Sequence, residues 1–153
     1  MYPTVLLLHS WLRWAVLLLG LAATIRAIAG AAGGRTWQPL DQRLTRMFVG
    51  VLDLQMLVGL ALYFLLSPIT KAALADFGGA MGQSGMRYWA VEHWVGMVIG
   101  IALAHVGVAR ARRMADGAIK HRVIATFFVL AMIAILASIP WPGTPNGRPF
   151  IRW

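Results

Sequence analysis

Glu92 and His93 stand side by side in the apolar segment Arg87–Gly100, and His9 and Arg13 stand four residues apart in another. Imidazole is the commonest protein metal ligand and a carboxylate is a ready partner for it. The second histidine that a His-Glu-x-x-His zinc helix needs is missing, so Glu92–His93 is not read as a zinc site. Asp53, Gln55 and His105 are three more polar groups set among apolar residues, and His121 opens a further apolar run. A charged side chain at the centre of a membrane helix costs about 2.5–3.5 kcal/mol on the insertion scale. Such groups therefore face the protein interior and find partners there.

The elements that must position these groups are membrane helices. The chain has 153 residues, of which 12% are charged, half of what a soluble domain carries. Four apolar runs, 4–29, 47–66, 88–109 and 123–139, approach or exceed the roughly 20 residues that cross the hydrocarbon layer. Each is expected to be a helix, because no other open structure satisfies its backbone in lipid. Pro68, and Pro140 with Pro142, stop the second and fourth runs. The first run is not a typical signal peptide, since it lacks a basic start and contains His9 and Arg13. The expected fold class is all-α: an integral membrane four-helix up-down-up-down bundle, a single domain over 1–153 with an extended tail from 140. Residues 78–85 read as a flexible outer connection.

Charge sets the orientation. The first and third loops carry Arg26, Arg35, Arg43, Arg46, Arg110, Arg112, Arg113, Lys120 and Arg122, against Lys71, Arg87, Arg148 and Arg152 elsewhere. The basic loops are expected in the cytoplasm and both termini outside. The net charge of +9 is thus a topology signal, and nucleic acid is not an expected partner. With no cysteine, disulfides, iron–sulfur clusters and thioether-linked haem are excluded. The methionines are scattered and read as packing rather than copper ligands, and the tryptophans read mostly as an interfacial belt.

Depth decides which histidines can meet. His9 and His93 each lie five residues past the outer start of a helix, about 7–8 Å down at 1.5 Å per residue. Two imidazoles at one depth on helices running the same way suit the two axial positions of a b-type haem iron. Gly96 and Gly100 follow His93 on its face, where they serve either a flat macrocycle or close helix packing. Arg13 shares a face with His9; it would pair with Glu92 or Asp53, or hold a haem propionate or a quinone oxygen. Glu92 and Gln55 would tune the site from beside it. His105 and His121 offer a second haem, against which the twelve-residue spacing from His93 turns His105 about 120° away.

The set His9-Ser10-Trp11-Leu12-Arg13-Trp14, Gln55 with Gly59 and Tyr63-Phe64, Arg87-Tyr88 with Glu92-His93, Lys120-His121-Arg122 and Ile139-Pro140-Trp141-Pro142 resembles a family of small four-helix bacterial membrane proteins labelled cytochrome b-like. The architecture is also loosely similar to di-haem b561-type proteins, which pass electrons between quinone and other acceptors. The resemblance implies haem binding in a bacterial inner membrane, with His9 and His93 as ligands. Two functions are therefore expected. One is an electron-carrying haem protein that exchanges with quinone or another carrier. The other is an accessory subunit without chemistry of its own, packed in a larger respiratory or photosynthetic complex or as a homo-oligomer, with the Pro-rich tail lying along a partner. A transporter would need repeated or broken helices, which the chain lacks.

Overall fold

The computed structural model describes residues 1–152; Trp153, read above as part of the tail and the aromatic belt, lies outside them. The described residues contain seven α-helices and no strand. Four helical segments, Tyr2–Ala32, Pro39–Leu66, Ser84–Arg112 and Gly117–Ser138, are long and apolar enough to cross a membrane. That makes the chain a multi-pass membrane protein.

The helices run past the apolar runs because polar residues continue them. Helix α1 spans Tyr2–Ala32 and α2 spans Pro39–Ala61, eight residues earlier than its apolar run begins. Pro39 opens α2 where its missing N–H costs nothing, and the Asp41 carboxylate accepts from the Gln38 backbone N–H at 2.9 Å. Residues Leu62–Leu66 then wind as a π turn, closed by Ser67 N–H donating to the Leu62 carbonyl at 2.8 Å. Pro68 ends α2 as expected and also begins α3, Pro68–Ala75, which is capped by the Ser67 hydroxyl.

The connection read as flexible is instead three short helices: α3, α4 (Phe77–Met81) and α5 (Ser84–Arg87). Asp76 caps α4 by accepting from Gly79 N–H. Ala73, Ala80 and Ala90 form a small core beneath these helices. A second π turn, Tyr88–Glu92, leads into α6, His93–Arg112, and α7 spans Gly117–Ser138.

The main core is centred on Phe48, Phe128, Ile124 and Ile135, none more than 2% exposed. Helix α7 packs along both α1 and α6, and α1 along α2, whereas α2 and α6 meet over a shorter length. Small residues permit the close approaches. A methyl on Gly100 would lie 2.7 Å from Ile135 Cγ1, and one on Gly96 would collide with the Ser138 hydroxyl.

Candidate functional site

His9 and His93 do meet. Their ring centres are 6.4 Å apart, with the planes inclined at 72°. The π turn at Tyr88–Glu92 sets this up by adding a residue to the turn before His93. It also frees the Ala90 carbonyl, which accepts from Tyr63 Oη at 2.7 Å and from Trp94 Nε1 at 2.8 Å. Tyr63 itself lies in the π turn of α2, so the two irregular turns are tied together beside the histidines.

Hydrogen-bond partners fix the tautomers. His93 Nδ1 lies 2.8 Å from the Ser138 carbonyl, which only accepts. In the neutral ring Nδ1 therefore carries the hydrogen and Nε2 the lone pair. Tyr88 Oη donates to the same carbonyl at 2.8 Å. The Gln55 amide nitrogen lies 3.0 Å from the His9 carbonyl and 3.3 Å from His9 Nε2. An amide nitrogen only donates, so His9 Nε2 also holds a lone pair. This leaves His9 Nδ1 and Gln55 Oε1 buried without partners. Gly59 makes room for His9: a methyl there would stand 3.2 Å from its Cε1.

Two imidazoles on opposite sides of one metal ion, at about 2 Å per metal–nitrogen bond, have their ring centres about 6 Å apart. The His9–His93 separation matches that. Both rings are in the tautomer that presents Nε2, and His93 is aimed by a backbone carbonyl, as metal-bound histidines commonly are. The spacing and the His93 tautomer are those that a pair of imidazole ligands to one metal-centred group would need. His9 Nε2 is held by Gln55, which would have to give way. Among the described residues no group of three or more His, Cys, Asp or Glu side chains gathers as an all-protein metal site.

The other expected site residues are placed differently. Glu92 does not face the interior: it is 46% exposed and accepts from Arg87 Nε at 2.6 Å. Consecutive residues on a helix point about 100° apart, so Glu92 turns outward where His93 turns in. Arg13 meets neither Glu92 nor Asp53; its Nη2 donates to the Phe150 carbonyl at 2.7 Å, and Trp14 Nε1 donates to the same oxygen at 3.1 Å. The tail thus lies over this end of the protein, with Arg148 over the Trp89 ring. Gly96 and Gly100 face α7, so they are packing residues and offer no open strip for a macrocycle.

The second histidine pair is not brought together. His105 Nε2 bonds Asp53 Oδ1 at 2.8 Å at the rim of a cleft between α2 and α6, both side chains about half exposed. His121 is 2% exposed; it fills the space left by Gly30, lies 4.8 Å from the Trp37 ring and 3.7 Å from Asp41. Asp41 also accepts from Arg26 Nε at 2.7 Å, making a buried charged node that sequence reasoning missed. Its signal was the lone acid among the bases of the first loop. Ser138 was missed as well, and Tyr63 and Tyr88 entered only as parts of the family resemblance, because backbone carbonyls as partners leave no sequence pattern.

No family model, curated protein or solved structure matches the chain.

Proposed function

We propose that the chain is a membrane haem protein that holds one b-type haem between His9 and His93 and carries electrons, exchanging them with quinone or another carrier. The observation that carries this reading is the imidazole pair: 6.4 Å between ring centres, with the His9 Nε2 lone pair held by Gln55, beside two unpartnered buried polar atoms. In this reading the four long helices form an up-down-up-down bundle in a bacterial inner membrane. Loops one and three face the cytoplasm and the His9–His93 end faces out, as the lysine and arginine counts require.

A haem so held supplies reversible one-electron chemistry. The chain's own residues bind, orient and enclose. The Ser138 carbonyl, held by Tyr88 as well as His93, fixes the His93 ring plane. Gln55 is placed to change partner from His9 Nε2 to another acceptor, and its free Oε1 gives His9 Nδ1–H a candidate acceptor on a small shift. The tail strap, anchored on Arg13 and Trp14, lies over the outer end.

The test is a reduced-minus-oxidised absorbance spectrum of the purified protein with pyridine haemochrome quantitation. About one haem per chain and a b-type α-band are expected in the wild type. In His93→Ala the band is lost while the helical circular dichroism remains. A folded, natively expressed protein with no haem would refute the reading.

A further inference from the structure

Helices α2 and α6 meet only over a short length, and two adjoining clefts open along their seam. The larger, about 450 Å³, is lined by Arg46, Val49, Gly50, Val108 and Arg112, with Asp53–His105 at its far end. The smaller, about 140 Å³, shares Thr45, Val108 and Arg112 with it and adds Trp37 and Lys120. Together they place Arg46, Arg112 and Lys120 around one opening. None of the three has a carboxylate within ion-pair distance among the described residues. Seven residues separate Arg46 from Asp53 on α2, and Arg112 from His105 on α6, about 10 Å of rise on each helix. Arg46 and Arg112 therefore stand at one level at the polar ends of α2 and α6, Lys120 joins them from the first turn of α7, and the Asp53–His105 pair marks where the cleft ends within the apolar segment.

We propose that this seam binds one anionic phospholipid. Its phosphate is held by Arg46, Arg112 and Lys120, and the first part of an acyl chain lies against Val49, Gly50, Val108 and Ala109. Three observations favour a lipid over a free anion. The cationic layer stands at the end of membrane-spanning segments, where lipid headgroups lie. The cleft continues from the cations into apolar walls. Gly50 has no atom within 4 Å of where a Cβ would stand, so the α2 side of the cleft is open to the width of a chain. Thr45 lines both clefts on the same side as the cations. The site is separate from His9–His93 and does not depend on haem.

The test is a native mass-spectrometry titration of the whole protein in mixed micelles with dioleoylphosphatidylglycerol, dioleoylphosphatidylcholine or inorganic phosphate. The wild type is expected to bind the anionic lipid at least tenfold more tightly than the zwitterionic one. Arg46→Gln/Arg112→Gln is expected to lose that preference, while the control Arg35→Gln/Arg113→Gln, with the same charge change, keeps it within about twofold. Gly50→Leu keeps every cation, suits a helix better than glycine and fills the apolar slot. It should weaken anionic-lipid binding at least fivefold, which keeps the test decisive if the arginine variant does not fold. Equal binding of the two lipids by the wild type would overturn the proposal. So would an unchanged preference in the arginine or Gly50 variant, or inorganic phosphate competing the lipid off at millimolar concentration.

Discussion

Replacing Gly96 by alanine tests how α6 and α7 hold His93. The added methyl would collide with the Ser138 hydroxyl and stand 2.8 Å from Ser138 Cβ. Ser138 cannot swing away without cost, because its Oγ donates to the Ala134 carbonyl at 2.8 Å and its own carbonyl holds His93 and Tyr88. Overpacking of this kind costs about 1–3 kcal/mol. The exchange also carries the helix-propensity gain of alanine over glycine, about 1 kcal/mol. Gly50→Ala isolates that gain, since nothing lies within 4 Å of the new methyl. The propensity contribution cancels between the two variants, leaving Gly96→Ala less stable than Gly50→Ala by the overpacking cost alone. At about 2–4 °C per kcal/mol for a chain of this size, thermal unfolding in detergent resolves the difference. Ser138→Ala removes the colliding oxygen, so the double variant should recover at least about 0.5 kcal/mol relative to the sum of the singles. If the two glycine variants agree within about 0.5 kcal/mol, the close packing of Gly96 is wrong. If Gly96→Ala leaves the protein stable and removes only the haem band, Gly96 is a macrocycle seat and not a packing residue.

Asp41→Asn takes the carboxylate from the partly exposed Arg26 and weakens the cap on α2, and a loss of about 1–2 kcal/mol is expected from chemical unfolding. Tyr63→Phe removes one of two donors from the Ala90 carbonyl and should cost about 1 kcal/mol, with the largest rise in amide exchange at the Tyr88–Glu92 turn. Ending the chain after Gly147 removes the Phe150 carbonyl from Arg13 and Trp14; acrylamide should then quench tryptophan fluorescence more strongly, and unchanged quenching would mean that the tail does not cover this end.

Long apolar runs of Leu, Val, Ile and Ala determined the four spanning helices, because in lipid the backbone must bond to itself wherever the side chains are apolar. The same rule made His9 and His93 legible as a pair: depth along a helix follows from counting residues, and counting put both at one level. Counting fails where the helix departs from 3.6 residues per turn. The Tyr88–Glu92 turn adds a residue, and sequence neighbours point about 100° apart in any case, so Glu92 goes outward to Arg87 while His93 goes inward to the Ser138 carbonyl. Nor does a sequence say which helices touch. Only packing showed that Gly96 and Gly100 press on α7, that His121 sits under Gly30 with Asp41, and that His105 is left with Asp53 at an open seam. Helix length and depth are local properties, fixed by composition and rise per residue. Facing is a collective property, decided by how small and large side chains on several helices fit together at once.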